Sequence, residues 1–156
     1  MKRILFVCTG NICRSPTAEG VARAFIEREG LGGEVEVDSA GLSGYHVGEA
    51  PDPRSRKAAL KRGYDLAGLS ARRLEVVDFQ RFDVLLAMDQ EHLESMLEMC
   101  PPVYQPKVAL FLDYAHGTQG EEVADPYYGG DAGFEAVLDL CEAGVRGILE
   151  KLGLPR

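Results

Sequence analysis

Residues 4–15 read Ile4-Leu5-Phe6-Val7-Cys8-Thr9-Gly10-Asn11-Ile12-Cys13-Arg14-Ser15, and Pro16 follows. The apolar run Ile4 to Val7 is the pattern of a short strand buried on both faces. Proline is favoured at the first helical position, so a helix is expected to start near Pro16. Five residues separate Cys8 from Arg14. A loop of that length lets successive backbone N–H groups converge, while the following helix points its positive end at the same spot. The stretch therefore predicts a strand, an anion-binding loop and a helix, with a thiol and a guanidinium around a phosphate-sized space.

Each residue type has its own physical reason. A cysteine beside a helix N-terminus and a cation is held as thiolate, so Cys8 is the expected nucleophile. Arg14 offers a planar fork that matches two phosphate oxygens at once, which a lysine cannot do. Ser15 can either cap the helix or donate its hydroxyl to the Cys8 sulfur. Gly10 permits backbone angles closed to other residues, and Asn11 tolerates a left-handed conformation. Thr9, Gly10, Asn11, Ile12, Cys13 and Arg14 thus form the expected phosphate cradle. Cys13 reads first as a packing residue; its alternative use is to trap a Cys8 sulfenic acid as a disulfide.

Beyond this stretch, strand signals at about 3–8, 34–39, 83–88 and 107–112 alternate with helical patterns at about 16–29, 53–62, 89–99 and 132–152. Gly30 and Gly63 stand where helices should end. The alternation predicts an α/β fold: a three-layer sandwich in one domain spanning 1–156, with a central parallel four-stranded twisted sheet and helices on both faces. Ligands in such sheets bind beyond the carboxyl ends of the strands, where Cys8 falls. Asp113 to Gly130, rich in Gly, Asp and Tyr, reads as a long functional loop.

The chain has 156 residues, 46% of them hydrophobic, enough for a core without disulfide or metal staples. Cys8, Cys13, Cys100 and Cys141 lack paired Cys-x2-Cys spacing, and His46, His92 and His116 show no zinc-ligand pattern, so neither metal nor cofactor is expected. Seventeen basic against 25 acidic residues give a formal charge of −8, which disfavours nucleic acid and anionic membranes as partners. Attraction of an anionic substrate then falls to Arg14 and the loop amides; Arg54, Arg56 and Lys57 read mainly as a solvated helix face. The start, Met-Lys-Arg and a short apolar run, lacks a secretory pattern, so a cytoplasmic location with reduced thiols is expected.

Five motifs in order, the Cys8 to Ser15 loop, Asp38-Ser39-Ala40-Gly41, Val47-Gly48 with Pro51-Asp52, Met88-Asp89 and Asp125-Pro126-Tyr127-Tyr128-Gly129, resemble the low-molecular-weight protein tyrosine phosphatases over nearly the whole chain. The resemblance implies that Asp125 is the general acid and then the base for water. It implies Ser39 as a brace hydrogen-bonded to Asn11, and Tyr45, Tyr127 and Tyr128 as aromatic walls suited to an aryl phosphate. Many members carry a histidine in the segment matching Asp65 to Arg72, where this chain has Leu69 and Ser70, so Asn11 is expected to have one partner fewer. Asp89 is expected to cap the following helix, or else to support the site.

The implied chemistry is two-step phosphoryl transfer from a phosphotyrosine-like monoester, on a protein or a small aryl phosphate, through a phosphocysteine on Cys8, with inorganic phosphate as product. One rival is a thioredoxin-coupled arsenate reductase, which resembles the same family but places two further cysteines close together in the region spanning Phe82 to Asp89, where this chain has none. The other is a non-catalytic phosphate-binding module, which the presence of both Cys8 and Asp125 disfavours.

Overall fold

The computed structural model describes residues 1–115, 120–126 and 130–153. The apolar run at the start forms β1 (Lys2–Cys8), and three further strands join it: β2 (Val35–Gly41), β3 (Val84–Ala87) and β4 (Val108–Leu110). All pair in parallel, in the order β2-β1-β3-β4. The register pairs Cys8 with Gly41 across β1 and β2, and Val7 with Ala87 across β1 and β3. Parallel neighbours need crossover connections, and helices supply them. The chain leaves β1 toward β2 on one side and reaches β3 on the other, so the ends of β1 and β3 flank the switch point where such sheets bind ligands.

β1 shows why the sheet is covered twice. Ile4, Phe6 and Cys8 pack with α1 (Arg14–Arg28) and α5 (Asp131–Lys151), and α2 (Pro53–Lys61) joins the same core. Leu5 and Val7 face the second core, built with Phe79 of α3 (Val76–Arg81) and Met96 of α4 (Gln90–Met99). Alternate side chains of one strand thus feed two apolar layers. Among the described residues, no helix is long and apolar enough to cross a membrane.

The departures from expectation have local causes. α1 begins two residues before Pro16 because the Cys13 carbonyl accepts from the Thr17 N–H, which draws Arg14 and Ser15 into the first turn. The strand expected over 107–112 is shorter, since Phe111–Tyr114 closes into a 3-10 turn. The short helix α3 was not expected from its paired valines; the Asp78 carboxylate accepting the Glu75 N–H at 2.8 Å secures its start. Tyr127 and Tyr128 lie outside the described residues.

α5 passes so close to the 3-10 turn that a side chain at Gly147 would collide with the Tyr114 carbonyl, a backbone group that cannot swing away. Gly147→Ala is therefore expected to lower stability by about 1–3 kcal/mol. Urea unfolding against Gly32→Ala, where nothing lies within 4 Å of the added carbon, checks this.

Candidate active site

The loop after β1 is held from outside by its own carbonyls. Those of Cys8 and Thr9 accept from the Leu42 and Ser43 N–H groups at 3.0 and 2.9 Å, and that of Ile12 accepts from the Asp52 N–H at 2.7 Å. Across a planar trans peptide the C=O and the next N–H point opposite ways. Turning these carbonyls into the scaffold turns the N–H groups of Thr9, Gly10 and Cys13 toward the cleft. Asn11 completes the curl with φ of 58°, in the left-handed region. Gly41 lets β2 approach: an added Cβ would lie 2.9 Å from the Thr9 carbonyl oxygen and 3.1 Å from the Asn11 Cβ.

A line of buried polar groups runs behind the loop. The Asn11 amide donates to Ser15 Oγ at 2.8 Å and to Ser39 Oγ at 2.9 Å, and Ser39 donates onward to Glu19 Oε1 at 2.6 Å. Asn11 Oδ1 accepts from the Arg72 N–H at 3.0 Å. The expected missing partner of Asn11 is thus made good by a backbone amide, which also fixes the orientation of the side-chain amide. Ser15 Oγ, which accepts from Asn11, lies 3.0 Å from Cys8 Sγ and 3.5 Å from the Ala40 carbonyl, so the shorter of its remaining contacts is the one with the sulfur. Of its two expected uses, Ser15 takes the contact with sulfur; α1 has no side-chain cap. Burial pushes the Glu19 carboxyl above its usual range, against the pull of Ser39 and Arg23.

Arg14 is buried, with 3% of its surface exposed. Its Nη1 donates to Asp89 Oδ2 and to the Val123 carbonyl, each at 2.9 Å. Among the described residues its Nη2 makes only long contacts, 3.4–3.7 Å, with His92 Nε2, Thr9 Oγ1 and Asp125 Oδ2. Asp89 divides its oxygens, Oδ2 taking Arg14 and Oδ1 the His92 N–H that begins α4, so capping and support are one residue's work. Burial works against its charge, but the His92 N–H and Arg14 outweigh it and hold the carboxyl below its usual range.

Asp125 reaches the site because Val123, fully buried two residues earlier, is pinned by its N–H to the Met88 carbonyl at 2.8 Å. A cleft of about 400 Å³ opens over the loop, with Cys8, Ile12, Arg14, Tyr45, His46 and Asp125 among its lining. Tyr45 is 83% exposed and meets the His46 ring edge-on at 4.8 Å. Burial, and then the Asp52 charge, pushes the Cys13 thiol up to about 12, and all four cysteines are free. Arg54 is paired with Asp52 at the start of α2, while Arg56 and Lys57 are exposed. Sequence reasoning missed Glu19, Arg72, His92 and Val123, none of which belongs to a motif.

A thiol 3.0 Å from a hydroxyl, with a buried guanidinium at the other end of the same loop and at a sheet's switch point, makes this cleft the candidate site for thiol chemistry on an anion. A family model described as "Low molecular weight phosphotyrosine protein phosphatase" matches residues 3–154, and the chain belongs to that family. It is 45% identical to a low molecular weight protein-tyrosine-phosphatase of Streptomyces coelicolor over 94% of this chain and 91% of that protein. With the human low molecular weight phosphotyrosine protein phosphatase the identity is 37% over 96% and 95% of the two chains. A protein tyrosine phosphatase of Entamoeba histolytica, solved with Hepes in the active site, superposes with a TM-score of 0.94 at 38% identity, covering 98% of this chain and 97% of that one.

Two stability predictions follow from the geometry. Asn11→Ala removes the acceptor of the part-buried Arg72 N–H and one donor from each of the two buried serine hydroxyls, at an expected cost of about 1–3 kcal/mol in urea unfolding. Burial and then the Arg14 charge push the His92 imidazole down to about 4 from 6.5. Between those values the unfolded chain binds a proton that the folded chain refuses, so stability is full above pH 6.5 and falls as the pH drops toward 4. His92→Gln should lose that part of the slope when unfolding is followed across the window.

Proposed function

We propose that the chain hydrolyses phosphotyrosine-like phosphomonoesters through a phosphocysteine on Cys8, with Arg14 binding phosphate and Asp125 as general acid and base. The observation that carries the reading is the 3.0 Å contact of Ser15 Oγ with Cys8 Sγ in a cleft lined by Cys8, Arg14 and Asp125. A donated hydroxyl favours the thiolate as attacking group and, later, as leaving group.

In the first step the Cys8 thiolate attacks phosphorus, the bond to the ester oxygen breaks, and the Asp125 proton passes to that oxygen. In the second, water attacks phosphorus while Asp125 takes its proton; the bond to sulfur breaks and the thiolate leaves under the Ser15 hydroxyl. Throughout, the loop amides and Arg14 hold the equatorial oxygens in a preorganised cradle. Arg14 suits this because its Nη1 end is anchored on Asp89 and Val123, so the rest of the fork approaches the anion from a fixed base. Tyr45 offers the exposed aromatic wall that an aryl ester would use, worth about 0.5–1.5 kcal/mol beyond burial.

The reductase alternative is disfavoured by cysteine placement. Cys100 belongs to the apolar core opposite that of Cys8, and Cys141 is fully buried. The net charge of −8 argues against nucleic acid as substrate carrier. A thiolate mechanism also calls for a reducing compartment such as the cytoplasm.

Hydrolysis of para-nitrophenyl phosphate with no added metal is the test. Wild type should turn over, Cys8→Ser should abolish turnover, and Asp125→Ala should lower kcat by about 10²–10⁴-fold. Folded wild-type protein that fails to hydrolyse the ester, or a Cys8→Ser variant that still does, overturns the reading.

A further inference from the structure

His92 stands in the first turn of α4 with 4% of its surface exposed, three residues after Asp89 and far in sequence from the Cys8 to Ser15 loop. Its Nε2 lies 2.7 Å from Thr9 Oγ1 and 3.4 Å from Arg14 Nη2. Its Nδ1 lies 3.2 Å from Asp89 Oδ1, near the carboxylate but off the line of a well-formed hydrogen bond, and is closed to solvent. The tautomer follows from the neighbours. A guanidinium can only donate, so the nitrogen that faces it must present a lone pair. The proton therefore sits on Nδ1, toward the Asp89 carboxylate, and the Thr9 hydroxyl donates to Nε2. The ring is neutral in this arrangement: a proton on Nε2 would face both the Arg14 cation and the hydroxyl it now receives.

We propose that His92 is a positioning residue for the phosphoryl transfer, a neutral imidazole strut that runs from Asp89 to the loop and sets Thr9 and Arg14 where they receive the phosphate. Three features argue that the contact is more than packing. Thr9 directly follows the nucleophile and carries the first amide of the cradle, so the hold of His92 on its hydroxyl restrains the backbone at that point. Arg14 is fastened at Nη1 by Asp89 and Val123, and His92 supplies the stop that keeps Nη2 from swinging past the loop. Asp89 touches both Arg14 and His92, so one carboxylate ties guanidinium, imidazole and the start of α4 into one unit. This deepens the phosphatase reading and rests on it.

The test compares His92→Leu, which removes the acceptor, with His92→Gln, whose amide oxygen can take the place of Nε2. Inorganic phosphate affinity, measured by calorimetry on folded protein, is read beside kcat and KM for para-nitrophenyl phosphate. His92→Leu should lose about 10–100-fold in kcat/KM and weaken phosphate binding in parallel, the scale of loss that goes with shifts of catalytic groups of up to about 1 Å. His92→Gln should recover most of both. Thr9→Val should lose activity in the same sense, and the double variant Thr9→Val with His92→Leu should lose less than the product of the single losses, because the two act through one bond. A His92→Leu protein with a lowered melting temperature but unchanged kcat, KM and phosphate affinity overturns the proposal, as does a glutamine variant no better than the leucine one. If wild type binds phosphate but does not turn over the ester, the phosphatase reading falls; the phosphate affinities of the variants still decide whether His92 positions the cradle.

Discussion

A buried guanidinium is the constraint around which the site is built. Taking a cation out of water costs several kcal/mol unless it is paired and hydrogen-bonded. Arg14 meets that demand with a carboxylate from the end of β3 and a carbonyl from the long segment before α5. Each partner then needs its own support. Asp89 is steadied by the start of α4, and Val123 is buried and held to Met88. Two remote parts of the chain, the β3-to-α4 junction and the segment around Val123, are thereby drawn to the end of β1, and Asp125 arrives with them. The charge proposed to grip a phosphate is the same charge that assembles the walls around it.

The fold was legible because its signals are local and strong. Ile4 to Val7 reads as a strand whatever surrounds it, and the run of strands and helices after it admits few topologies. The misses were of two kinds. β4 shrank and α3 appeared where short apolar stretches carry no clear period, and a carboxylate at Asp78 or a turn at Phe111 decides the matter. The loop of the candidate site was equally plain, since Cys8, Arg14 and Ser15 sit within one turn of chain. Glu19, Arg72, His92 and Val123 were not, because their work depends on what faces them across the sheet. A glutamate in the middle of an amphipathic helix looks like solvated surface until Ser39 of β2 is set beside it. Asn11 was the instructive case: a residue expected to lack a partner is served by a backbone amide, which leaves no trace in residue identity.

The line from Glu19 through Ser39, Asn11 and Ser15 to Cys8 has a further property. Hydroxyls can pass protons along a chain of hydrogen bonds, but a side-chain amide cannot, since both its protons stay on nitrogen and its oxygen here accepts from a fixed N–H. Asn11 therefore insulates. Orientation passes along the line, and charge on Glu19 is felt through it, yet no proton moves between the buried carboxyl and the sulfur. The scaffold behind the loop thereby fixes how the sulfur is held, while the cleft in front of it is where substrate and solvent arrive.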